Sequence, residues 1–125
     1  MPLIKTAERV KEGEKKPTRY YSSKQENKVS KTIGAKITKN SGATMFSKGD
    51  LLTDQWLLEC KTQTRNKDSF TLKKEWFNKN LQESIMMGKD YTALVFNFGP
   101  DEDNYYIIDE KIFQELLELQ QNKVV

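Results

Sequence analysis

The stretch KGDLLTDQWLLECK, Lys48 to Lys61, decides how this chain folds. Two short apolar runs, Leu51-Leu52 and Trp56-Leu57-Leu58, are split by Asp54-Gln55. A helix is conceivable, but two strands joined by a tight turn fit better with the segments that follow. With Asp54-Gln55 at the centre of the turn, Leu52 faces Leu57, Leu51 faces Leu58 and Asp50 faces Glu59. Opposed residues in a hairpin hold their Cβ atoms about 4.5–5.5 Å apart, and opposed like charges repel. Asp-Gln is not a favoured two-residue turn, so a bulge would shift this register.

Side chains alternate along a strand, so Glu59 and Lys61 share one face while Cys60 points to the other, toward the core. The hairpin therefore predicts a cluster of Asp50, Glu59, Lys61 and the main-chain oxygen of Cys60. A divalent cation would compensate the carboxylate pair, accepting oxygen ligands at about 2.1 Å in the case of Mg²⁺. Mn²⁺ is a plausible substitute. These parts suit phosphodiester hydrolysis, in which a metal activates water and offsets charge on the transition state. Lys61 would orient or help deprotonate the water, or stabilise phosphate oxygens; the sequence leaves these roles open. A surface hairpin with ordinary terminal charges is the competing reading.

Outward from the hairpin, the composition narrows the choices. The 125 residues suit one domain. No apolar run approaches the roughly 20 residues of a membrane span. The N-terminal residues lack the apolar centre of a signal peptide. A single cysteine argues against a disulfide framework or zinc finger, and the absence of histidine removes His-based triads and most transition-metal sites. Any metal site must be built from oxygens. The net charge of +3 is uneven: residues 1–48 carry 12 Lys and Arg against 4 Glu, and residues 49–125 carry 9 against 14 acids. A basic arm on an acidic body suits an anionic polymer, most plausibly nucleic acid.

Residues 1–21 read as a loosely ordered basic arm, followed by one domain over 22–125. A helix is expected from the Ser22-Ser23 caps to Gly34, with Val29 and Ile33 on one face and Glu26 on the side of Val29. AKIT, 35–38, reads as a short strand, 39–49 as a loop and 62–70 as a polar loop. TLKKEWFNKNLQESIMMG, 71–88, is an amphipathic helix whose apolar stripe stacks Phe77, Leu81 and Ile85. YTALVFNF, 91–98, is a buried strand, and YYIID its hairpin partner. Asp109 caps a last helix whose inward face carries Ile112, Phe113, Leu116 and Leu117. Leu119 adds to its apolar residues, which would pack on the sheet or on a second subunit.

Gly49-Asp50, Glu59-Cys60-Lys61 and the helical Glu26 together resemble the PD-(D/E)XK nuclease superfamily. NSGA at 40–43, followed by KGD at 48–50, is similar to its Holliday junction resolvase branch, as found in archaea and some phages. The likeness covers roughly residues 22–98. It implies an α/β fold with a mixed central β-sheet flanked by helices, a restriction-endonuclease-like nuclease core. It also implies that Glu26, Asp50 and Glu59 approach the metal with the Cys60 carbonyl, that Lys61 is the catalytic lysine, and that Ser41 contacts phosphate or supports the site. Apart from the resemblance, Lys36, Lys39 and Lys48 are candidates for phosphate contact or else solvated lysines, Arg19 in the arm is a further candidate, and Gln63 either continues the Lys61 face toward the scissile region, if the strand extends that far, or is a polar strand end. Junction resolvases act as homodimers that cut two strands symmetrically. The expectation is thus a Mg²⁺-dependent, structure-selective DNA endonuclease acting on four-way junctions inside the cell. The alternatives are a related nuclease for ends, flaps or duplex, a non-catalytic nucleic-acid-binding module, and a protein-interaction domain. Gly49 replaces the proline of the superfamily pattern.

Overall fold

A computed structural model describes residues 16–38 and 50–122. The elements run α1 (Thr18–Ile33), β1 (Lys36–Ile37), β2 (Leu51–Leu52), β3 (Trp56–Lys61), α2 (Lys74–Met86), β4 (Tyr91–Asn97), β5 (Asn104–Ile107) and α3 (Glu110–Asn122). The five strands form one mixed sheet in the order β1-β2-β3-β4-β5. All neighbours are antiparallel except β3 and β4, which run parallel and are joined through α2. This is an α/β architecture with helices flanking a mixed sheet.

The hairpin register is the expected one, with Leu51 opposite Leu58 and Leu52 opposite Leu57. The unfavoured Asp54-Gln55 turn is supported from outside. Lys89 Nζ donates to the carbonyls of Thr53 and Asp54 at 2.7 and 3.2 Å, and the N–H groups of Asp90 and Tyr91 both donate to the Gln55 carbonyl at 2.9 Å. Contacts from the α2–β4 connection thus replace the turn's missing intrinsic preference.

Helix α1 begins at Thr18, four residues before the expected serine caps. Pro17 occupies the cap position in an extended conformation, and Ser22 lies inside the helix, where its hydroxyl donates back to the Thr18 carbonyl. Residues 18–21 therefore belong to α1 rather than to the basic arm. Gly34 ends the helix with φ 71°, a left-handed conformation that glycine adopts without Cβ strain.

The apolar core lies on the α1 side of the sheet: Val29, Ala35, Leu51, Leu58, Ala93 and Val95, with Ile37, Cys60 and Ile108 packed against them. The other side differs from expectation. Helix α2 buries Asn80, Glu83 and Ser84, while Leu81 and Ile85 are 51% and 68% exposed. Asn80 donates to the Thr92 hydroxyl and to the Ala93 carbonyl, fixing this rotation. The physical reason is the carboxylate pair on the hairpin, which gives that sheet face a polar patch; burying the leucine-isoleucine stripe against it would desolvate charge without compensation. The last helix also departs from expectation. Asp109 caps it as anticipated, with Oδ1 accepting from the Ile112 N–H at 2.8 Å. Of its apolar residues only Ile112 is buried, whereas Phe113, Leu116, Leu117 and Leu119 are exposed. No helix among the described residues is long and apolar enough to cross a membrane.

Candidate metal centre

Three carboxylates converge on the α2 side of the sheet. Asp50 sits just before β2, Glu59 lies in the second half of β3, and Glu83 projects from α2. One ligand oxygen from each lies within 4.8 Å of the others, and all three residues are buried. The Asp50 backbone is fixed by the end of β1, because its carbonyl accepts from both the N–H and the hydroxyl of Thr38 at 2.8 and 3.0 Å. Its register extends the β2–β3 pairing and brings it opposite Glu59.

Among the described residues no donor reaches either Asp50 carboxylate oxygen, although the residue is only 1% exposed. Glu59 Oε1 is likewise buried without a donor. Burial, together with the charges of Glu83 and Glu59, pushes the Asp50 carboxyl up to about 8. The charge of Lys79 opposes the rise. Without a cation, Asp50 therefore holds a proton at neutral pH; a bound cation would displace it.

Lysines rim the carboxylates. Lys61 Nζ is 2.9 Å from Glu59 Oε2 and lies over the Trp76 ring at 4.5 Å from its centroid. Lys79 Nζ is 3.5 Å from Glu83 Oε2, one helical turn away. Trp76 is packed by Phe70, which in turn packs on Phe96 of β4. Lys61 is thus held between a carboxylate and an aromatic face while keeping part of its surface in solvent.

The structure brings Asp50, Glu59 and Lys61 together as the hairpin register implied. Cys60 lies between them with its side chain against the apolar core, and burial, with the charges of Glu26, Asp50 and Glu59 adding, pushes its thiol up. Its side chain points away from the carboxylates, on the opposite face of β3. Glu26 is not in the three-carboxylate group. It is buried on α1 and paired with Arg19, at 3.3 Å between Arg19 Nη2 and Glu26 Oε1. The expected phosphate contact of Arg19 is thus, in this conformation, an ion pair with Glu26. Gln63 lies beyond the end of β3, and its side chain donates to the Ser69 carbonyl, so it does not continue the Lys61 face. Lys36 lies in β1 and is exposed. Ser41, Lys39 and Lys48 lie outside the described residues.

Asn80 and Glu83 were missed by reading the sequence for its apolar stripe. Trp76, Asn80 and Glu83 recur at i, i+4 and i+7 in α2. That spacing marks a second, polar face of the same helix, and it is the face that meets the sheet.

Gln25 ties the site to α1. Its Nε2 donates to the carbonyls of Lys61 and Val95 at 3.0 and 3.3 Å, and to Asn104 Oδ1 at 3.1 Å. One side chain thus bridges the ends of β3 and β4 to the start of β5, and holds the backbone of Lys61 in place.

Comparison with family models, with curated proteins and with solved structures returns no match to this chain.

Proposed function

We propose that this chain is a Mg²⁺-dependent, structure-selective DNA endonuclease, most concretely a Holliday junction resolvase of the PD-(D/E)XK type. The observation that carries the reading is Asp50: a carboxyl group buried opposite a second carboxylate and beside a third, with no donor among the described residues reaching either oxygen. A carboxyl so buried keeps its proton unless something compensates the charge, and a cation would take the proton's place. A cation with oxygen ligands fits this donor set, since the ligand group that the described residues form is three carboxylates. The order of elements, a helix, three antiparallel strands, a crossover helix and a parallel strand, is compatible with the nuclease core that the sequence resembles.

Asp50, Glu59 and Glu83 would hold the ion, with the Cys60 carbonyl as a further oxygen and Mn²⁺ as a substitute. When bound, such an ion activates a water and offsets charge on the phosphate being cleaved. Lys61 is placed by Glu59 and Trp76 to donate to a phosphate oxygen, which neutralises charge that develops there. Glu26 takes a supporting part, pinning Arg19 on α1. The basic segment 1–48 would add affinity for the DNA backbone that falls with salt. Branched DNA would be selected by shape and phosphate contacts rather than base sequence, and two copies would cut two strands of a junction.

The test is cleavage of a synthetic four-way junction against linear duplex of the same sequence, with Mg²⁺ and with EDTA. Paired symmetric nicks on the junction, abolished by EDTA, support the reading. Equal cutting of duplex would make the protein a general nuclease. Tight binding without cleavage in Mg²⁺ would make it a binding module.

A further inference from the structure

Five aromatic rings of this molecule touch in an unbroken line that starts beside the candidate metal centre. The Trp76 ring lies 6.2 Å from Phe70, and Phe70 lies 4.8 Å from Phe96. Phe96 is 5.5 Å from Tyr105, and Phe98 is 5.3 Å from Phe96 and 5.5 Å from Tyr105. These contacts do not make a core. None of the five side chains is buried, and Tyr105 is 49% exposed. On the same sheet face Leu57 and Leu94 are buried, so that face is closed at its middle and open along the rings.

The strand register fixes where the line runs. Lys61 is opposite Phe96, and Phe96 is opposite Tyr105. Opposed residues point to one face, so the three form a row across β3, β4 and β5. Neighbouring strands lie about 4.8 Å apart, which puts the Tyr105 backbone about 10 Å from that of Lys61. Among the described residues β5 is the edge of the sheet. Tyr105 stacks on Phe96 with 28° between the planes, and Phe98 is set edge-on to both rings. The Tyr105 ring is thus held from within the sheet while half of it stays open at the edge.

Charge follows the rings. Residues 49–125 are acidic on balance, yet five of their nine basic residues, Lys61, Arg65, Lys67, Lys73 and Lys74, fall between 61 and 74, with Asp68 the single acid there. That segment carries Phe70, and the Lys67 N–H donates to the Phe98 carbonyl at 2.8 Å, which fastens it beside the outer rings. Lys61 and Lys73 both lie over Trp76, at 4.5 and 5.8 Å from its centroid. Half-open rings interleaved with cations suit unpaired nucleic-acid bases, whose faces stack on the rings while the cations take the phosphates. Bases inside a duplex already stack on their neighbours and have no free face to offer.

We propose that Phe98 and Tyr105 form a stacking platform for unpaired bases of the strand whose phosphate lies at Lys61. The inference rests on the reading of Lys61 as a phosphate contact. It narrows the substrate of that site to a strand with unpaired bases beside the cut, as a branch point provides when its arms open. The platform tolerates any sequence, because every base has a π face.

The test is binding of the full chain, in EDTA, to a fluorescent oligothymidylate and to a blunt duplex. Tyr105→Ala weakens oligothymidylate binding by about 5- to 150-fold and leaves duplex affinity unchanged. Tyr105→Phe keeps wild-type affinity, since the ring face remains. Tyr105→Leu, which keeps apolar bulk against Phe96 without a ring, behaves as alanine does. A wild type that does not bind oligothymidylate overturns the proposal, as do equal losses on duplex and oligothymidylate. So does unchanged affinity in Tyr105→Ala with a lowered melting temperature, which would make Tyr105 a packing residue of its own chain. Junction cleavage by a chain whose Tyr105→Ala variant binds oligothymidylate at full strength would sink the platform and spare the nuclease. Selective loss of oligothymidylate binding in a chain that cuts nothing would do the reverse.

Discussion

On the α1 side of the sheet, Val29, Leu58 and Val95 close on one another as a dry core. On the α2 side, one residue along β3, Glu59 meets Asp50 and Glu83 with Lys61 beside them. The same strand supplies both faces, because alternate residues point opposite ways. The contrast shows how a small chain can hold a costly polar cluster. Leu58 and Cys60 anchor β3 from below, so that Glu59 and Lys61 can be held close to like and unlike charges without the strand yielding. The α1 face is apolar at its centre, while the α2 face sets the buried Leu57 and Leu94 beside an acidic cluster whose repulsion a cation would relieve.

The largest effect that separates the faces is on catalysis. Asp50→Ala is expected to reduce junction cleavage by more than the roughly 100-fold that loss of a merely supporting residue costs, with junction binding retained in a gel-shift assay. Cleavage at the wild-type rate would remove Asp50 from the site. Leu58→Ala should act in the opposite sense, lowering stability by about 2–5 kcal/mol in urea unfolding. The fraction that stays folded should keep its specific activity. A Leu58→Ala protein of unchanged stability would break the division of labour between the faces.

A smaller effect follows from the Asp50 carboxyl. Its folded-state value of about 8 lies above the 3.8 of an ordinary aspartate. Below the lower value both states are protonated and the residue costs nothing. As pH rises through the interval the unfolded chain releases a proton that the native state retains, so stability falls until about pH 8. Asp50→Asn removes that penalty. In metal-free buffer it should raise the melting temperature at pH 8 and leave it nearly unchanged at pH 4; equal shifts at both would refute the assignment. The smallest effect belongs to Trp76. Replacing the ring by leucine removes a cation–π contact worth about 0.5–2 kcal/mol, so Trp76→Leu should slow single-turnover cleavage by about 2- to 30-fold with little change in DNA affinity. A purely structural Trp76 would lower both together.

The hairpin was legible because its information is local. Leu51, Leu52, Leu57 and Leu58 permit one register that buries them about Asp54-Gln55, and that register alone sets Asp50 against Glu59. The cap at Asp109 was legible for the same reason. The rotation of α2 was not, because periodicity reveals a stripe without saying what it meets. Leu81 and Ile85 form the more apolar side, yet the sheet offers carboxylates, and Asn80, Glu83 and Ser84 are the side that suits them. Glu83 was therefore hidden by a rule that ranks helix faces by apolarity. Glu26 was placed at the metal by resemblance, while its partner in the structure is Arg19. Gln63 was assigned to a strand that ends at Lys61, where Thr62 and the Gln63 N–H turn to Asn97 instead.

The sharing of one cation by Asp50, Glu59 and Glu83 is tested most directly by titrating Mn²⁺ into the protein by calorimetry, in the absence of DNA. The account predicts binding that Glu83→Gln weakens by more than about tenfold and that Glu26→Gln leaves unchanged. Wild-type affinity in Glu83→Gln, with binding lost in Glu26→Gln, would contradict it.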